Sequence, residues 1–153
     1  MAKAIVVYES KYGNTKLVGE KIVEGMKEVG EVEATFSTSS DVDIKKIPEY
    51  DIVLVGSPNH MGDPVGGVNK FINGLKKLEL KEKQFAVFDT YMGKDFEKAV
   101  NKMKKRIKKK VPGSKPDIPG LSIKVAGMKG PIVDEEFPKC TNFGHEIAEL
   151  LKR

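Results

Sequence analysis

Cysteine occurs once in this chain of 153 residues, histidine twice and tryptophan not at all. A lone thiol, Cys140, excludes an internal disulfide and agrees with a reducing compartment. Cys140, His60 and His145 show no recognised ligand spacing, so no metal site is expected. No apolar run approaches the roughly 20 residues that a membrane-spanning helix needs. The apolar stretch near Met1 is too short for a secretory signal and flows into a strand pattern, so a cytoplasmic location is expected. Two phosphate-binding signatures are missing as well. There is no Gly-Lys-Ser/Thr of a Walker A loop and no GxGxxG of a dinucleotide fold.

What is present describes an ordinary globular chain, 39% hydrophobic and 32% charged, with no linker, repeat or low-complexity tract. One domain spanning residues 1–153 is expected. The net charge of +5 is patchy, concentrated in "KMKKRIKKK" from Lys102 to Lys110. These lysines lie mostly opposite the apolar stripe Phe96, Val100, Met103 and Ile107, as a solvated helix face would. Few aromatics interleave with them, so nucleic acid is not an expected partner.

Four short apolar runs read as strands: Ala4–Tyr8, Asp51–Gly56, Phe85–Asp89 and Leu121–Gly127. The first three are almost unbroken, which predicts burial on both faces. Glu31–Phe36 alternates and predicts an edge strand. Helical spacing covers about Thr15–Val29, Val65–Leu78, Asp95–Lys110 and Thr141–Lys152, with a shorter helix or turn at Asp41–Ile47. Strands alternating with helices predict an α/β fold of three layers, α/β/α, around a five-stranded parallel sheet of order 2-1-3-4-5. Ligands in such folds sit beyond the carboxyl ends of the strands, where the winding reverses.

The loops at that edge read "ESKYGNT", "GSPNHMGDP" and "DTYMGKD". In the first, Ser10, Asn14 and Thr15 offer side-chain donors and Gly13 permits close backbone approach, at the start of a helix whose first N–H groups lack partners. That is a seat for an anion. The same letters also describe a Gly-Asn turn in which Asn14 or Thr15 caps the helix, and local features leave both readings open.

Ser10, Gly13, Asn14 and Thr15, placed as S-x-x-G-N-T directly after a first apolar strand, resemble the phosphate loop of flavodoxins. "YDIVLVGSPNHMGDP" is similar to the third strand and flavin loop of that family, and "AGMKGPIVDEEFPKCTNFGHEIAELL" to its closing strand and helix. The resemblance covers nearly the whole chain and is to the short-chain group. It implies non-covalent flavin mononucleotide (FMN), its phosphate held by Ser10, Lys11, Tyr12, Gly13, Asn14 and Thr15. Lys11 and Lys16 also fit a solvated role, and Tyr12 contributes a backbone N–H or its hydroxyl. Ser57, Pro58 and Asn59 would line the flavin edge, Met61 would pack on the ring and Gly62 would be a peptide that flips on reduction. A carbonyl hydrogen bond gained only by the semiquinone, at about 1 kcal/mol, shifts a one-electron potential by roughly 40 mV. The rival reading of Gly62-Asp63-Pro64 is a turn opening the second helix.

His60 departs from the family, many of whose members carry a tryptophan in this loop; it stacks on the flavin or faces solvent. In the third loop Asp89, Thr90, Tyr91 and Gly93 match in place more than in letters. Tyr91 is the best candidate to cover the outer ring face, with a core-edge tyrosine as the alternative. Asp89 and Asp63 would place negative charge by the ring. Cys140 begins the last helix, where a thiol pKa can be lowered, or is simply buried.

The implied function is a monomeric, low-potential electron carrier cycling through a flavin semiquinone, with no catalytic residue of its own. The basic total departs from the family habit of acidic carriers on basic partners. Either its redox partners carry acidic docking surfaces, or the local field at the flavin edge is acidic all the same, and net charge leaves both open. The alternative is an FMN-dependent oxidoreductase of the quinone reductase or protoporphyrinogen dehydrogenase type.

Overall fold

The computed structural model describes residues 1–152. Three central strands, β1 (Ala2–Tyr8), β3 (Ile52–His60) and β5 (Gln84–Tyr91), lie side by side in parallel register. β2 (Val32–Thr38) pairs with β1 at one edge and β6 (Leu121–Lys124) with β5 at the other. A two-residue strand, β4 (Asp63–Pro64), folds back antiparallel on the end of β3. The order β2-β1-β3-β5-β6 is the expected 2-1-3-4-5 once that hairpin is set aside.

Side chains of the central strands alternate between two cores. Ala4, Val6, Tyr8, Ile52, Leu54, Ala86 and Phe88 meet α1 (Asn14–Val29) and α4 (Phe137–Leu151). Ile5, Val7, Val53, Val55, Phe85 and Val87 meet α2 (Gly66–Gly74) and α3 (Lys98–Lys110). Burial on both faces explains why these runs carry no polar alternation. β2 alternates between half-buried and exposed positions, as an edge strand does.

Element ends differ from the sequence pattern where distant groups intervene. β3 runs four residues beyond Gly56, because Asn59 and His60 pair with Pro64 and Asp63; much of the expected second loop is therefore strand. α2 stops at Gly74 and tightens into a 3-10 turn over Leu75–Lys77, and another 3-10 turn occupies Ile44–Glu49. α4 begins at Phe137 rather than Thr141, with Pro138 in its first turn, where a missing N–H costs nothing. β6 is shorter than the apolar run, ending at Lys124.

α3 begins at Lys98, not Asp95, and this corrects the place of Phe96. That ring is 52% exposed and off the helix, not part of its buried stripe. The helix starts where the Asp89 carboxylate, reaching from β5, accepts the Val100 N–H at 3.1 Å. Such a cap from across the fold is invisible to local spacing.

α1 and α4 approach backbone to backbone through two glycines. A methyl at Gly25 would lie 2.2 Å from the Thr141 carbonyl oxygen, and one at Gly144 would lie 2.1 Å from that of Ile22. Gly144→Ala is expected to cost about 1–3 kcal/mol through overpacking, despite the better helix propensity of alanine. Gly66→Ala, with nothing within 4 Å of the added methyl, is expected to change stability by less than about 0.5 kcal/mol. Urea midpoints of the two variants check this.

Candidate functional site

Because β1, β3 and β5 are neighbours and parallel, their following segments meet at one edge of the sheet. Hydrogen bonds tie the three together. The Thr15 and Thr90 hydroxyls share one at 3.2 Å, both buried, joining the first segment to the third. Asn59 joins the second to the third, donating to the Asp95 carbonyl at 3.1 Å.

The first segment has the form of an anion seat. Gly13, with φ +90°, is the N-cap of α1, and neither Asn14 nor Thr15 caps it; no side chain bonds the cap position and no acid lies in the first turn. Asn14 instead packs on Gly130, where an added methyl would come within 2.6 Å of Oδ1. Among the described residues, no hydrogen bond engages the backbone N–H of Lys11, Tyr12, Gly13, Asn14 or Thr15. Ser10 Oγ accepts from the Lys16 N–H at 3.4 Å, and the space over Gly13 is open. Unpartnered N–H groups at a helix start, with neutral hydroxyl and amide neighbours, are the donor set of a phosphate site.

The second segment is a tight hairpin. Met61 and Gly62 occupy its turn with φ +53° and +89°, the paired positive values of a type I′ geometry. For Met61 this costs about 1 kcal/mol, and its side chain stands 87% exposed. Gly62 N–H donates to Asn59 Oδ1 at 2.8 Å. His60 faces solvent. Ser57 is buried; its hydroxyl donates to the Pro58 carbonyl at 2.8 Å and accepts the Val65 N–H at 3.0 Å, so it serves the start of α2.

The third segment holds Tyr91 half-buried, its ring edge-on to Phe96 with centroids 5.4 Å apart. Burial pushes the Tyr91 hydroxyl above its ordinary pKa. Gly93 (φ +60°) and Met92 are exposed. Tyr12, Met61, Met92, Phe96 and Met128, the exposed large apolar side chains other than Met1, all lie on segments at this end of the sheet. A flat apolar ligand has partners there.

The two acids differ. Asp63 stands at the surface, paired with Lys102 at 2.6 Å, and this ammonium holds its carboxyl below the usual range. Asp89 is fully buried and presents no charge to solvent. It accepts from Ser122 Oγ (2.5 Å), the Val100 N–H (3.1 Å) and Asn59 Nδ2 (3.4 Å), and burial nevertheless pushes its pKa up to about 6. Cys140 lies in the first turn of α4 but is buried in the α1–α4 core, and burial drives its thiol up to about 12, so the lowered-pKa reading is overturned and the buried one holds. Lys98, Lys102, Ser122 and Asp95 escaped the sequence pattern, since only folding brings them against residues 59–63 and 89.

A model of the flavodoxin domain matches residues 5–121 of the chain. The chain belongs to the flavodoxin family. FMN is the cofactor of that family. A curated flavodoxin of Clostridium saccharobutylicum is 30% identical over 88 residues, 58% of this chain and 55% of that one. The uncharacterized protein MJ0732 of Methanocaldococcus jannaschii is 28% identical over 151 residues, 97% of this chain but 36% of that protein. These matches thus span about half and about a third of the curated relatives. A solved flavodoxin from the domain Archaea is 27% identical with a TM-score of 0.79, covering 99% of both chains.

The raised pKa of Asp89 gives a signed prediction. Between the ordinary value of 3.8 and about 6, the folded chain holds a proton that the unfolded chain has lost. Stability from this group therefore falls as pH rises from about 4 to about 6 and is level above, by up to about 3 kcal/mol. Asp89→Asn is expected to lack that slope, measured by denaturant unfolding at several pH values.

Proposed function

We propose that the chain is an FMN-binding carrier that passes electrons one at a time. The observation that carries this reading is the run of free backbone N–H groups from Lys11 to Thr15 at the start of α1, under open space at Gly13. A dianionic phosphate there gains the helix dipole and several N–H bonds without a cationic side chain. Ser10, Asn14 and Thr15 frame it. When bound, FMN supplies reversible one-electron chemistry, and the chain's residues position it and set its surroundings. Pro58, Asn59, His60, Met61 and Gly62 would border one side of the ring, and Thr90, Tyr91 and Gly93 the other. Ser57 and Asp89 would act from behind, through the groups they hold. The chain is expected to be yellow as purified, and its apoprotein to take up one FMN and quench its fluorescence. Failure to bind at millimolar FMN would end the proposal. Steady NAD(P)H-driven reduction of a quinone by the protein alone would replace it with the oxidoreductase reading.

The partner would be acidic. Residues 94–110 hold nine basic and two acidic side chains, more positive charge than the net +5 of the whole chain. This basic face starts at the hairpin itself, where Lys98 and Lys102 flank Gly62. Such a field favours anionic reactants and is screened by salt. With reduced protein, ferricyanide should react faster than hexaammineruthenium(III) relative to their rates with a neutral flavin. Lys98→Gln with Lys102→Gln should shrink that ratio several-fold, read by stopped-flow absorbance.

A further inference from the structure

Asn59 commits both of its side-chain amide protons. Its two amide protons point at Asp89 Oδ2 (3.4 Å) and the Asp95 carbonyl (3.1 Å), so its oxygen must face the Gly62 N–H at 2.8 Å. Asp89 is equally committed, with the Ser122 hydroxyl, the Val100 N–H and Asn59 all donating to it. We propose that Asp89 and Asn59 form a relay that anchors the Met61–Gly62 peptide, making Asp89 a positioning residue for the FMN-side hairpin whose protonation loosens that anchor. This rests on the FMN reading for its consequence, though not for its geometry.

Of the three donors on the carboxylate only the Ser122 hydroxyl can turn to accept a proton, so protonation falls on Oδ1 and leaves Oδ2 as a neutral acceptor for the Val100 and Asn59 N–H groups. A neutral acid accepts about half as strongly as a carboxylate, so the Asn59 amide is then held by the Asp95 carbonyl and a weakened Asp89 bond. The anchor fastens the peptide on the N-terminal side of Gly62 while the Gly62–Asp63 peptide beyond it is left to turn. Charged and titratable groups facing the relay come from each neighbouring element. They are His60 and Asp63 on the hairpin, Tyr91 at the end of β5, Asp95 and Glu97 before α3, and Lys98 and Lys102 on it. β6 contributes only the neutral Ser122 hydroxyl.

The test is hydrogen exchange at the Gly62 amide, followed by NMR from pH 5 to 8 and corrected for intrinsic rates, in a His60→Gln background that removes the neighbouring imidazole. Protection is expected to rise about threefold as Asp89 ionises, a part of the worth of one such hydrogen bond. Asn59→Ala and Asp89→Asn should each abolish the step. Ser122→Ala, which deletes a donor that favours the ionised carboxylate, should move the step to higher pH. A step that persists in Asn59→Ala, or stays in place in Ser122→Ala, would overturn the relay, as would a flat profile in the parent. With FMN bound, its dissociation constant should show the same pH step. A colourless protein that refuses FMN defeats the functional reading and leaves the amide measurement readable.

Discussion

Three adjacent parallel strands, β1, β3 and β5, are buried on both faces and end together at one edge of the sheet. Their backbones leave the ladder there, and the helices that follow begin with N–H groups that the ladder cannot satisfy. Ser57 on β3 and Asp89 on β5 serve α2 and α3, while the N–H groups at the start of α1 are left to water or a ligand. The polar loops at this place follow from that constraint.

Electrostatics at the edge separates two tasks. The segment Ser10–Thr15 offers amides and hydroxyls, donors that suit an anion without adding formal charge. Formal charge is supplied elsewhere, by the basic face of α3, which meets the hairpin through Lys98 and Lys102. Binding and encounter can then be tuned independently. Short-range N–H bonds resist salt, whereas the exposed lysines act over about 10 Å and are screened beyond it.

Asp89 connects fold and site. As a long-range cap for Val100 it decides where α3 starts, and through Ser122 it joins β5 to β6. Through Asn59 it reaches the hairpin. Burying a carboxylate is unfavourable, as its raised pKa records, and three convergent donors offset that cost. A group that costs stability here joins four elements and fixes their geometry.

Unbroken apolar runs such as Ala4–Tyr8 and Phe85–Asp89, with helical spacing between them, were enough to specify the layers, the strand order and the edge at which a ligand sits. The S-x-x-G-N-T pattern at Ser10–Thr15 pointed to the segment whose backbone N–H groups the fold leaves without partners, because those groups are local in the chain. Periodicity carries information over a few residues, which is why it misjudged the ends of β3, α3 and α4. Phe96 fitted a helical stripe by spacing and was excluded from it by a carboxylate seven residues earlier on another element. The Asn59–Asp89–Ser122 network, the burial of Cys140 and the meeting of Lys102 with Asp63 were decided by tertiary structure alone. Each joins groups more than 25 residues apart or depends on what surrounds them, and a hydrogen bond or a desolvated charge exists only once those groups are within about 3 Å and out of water.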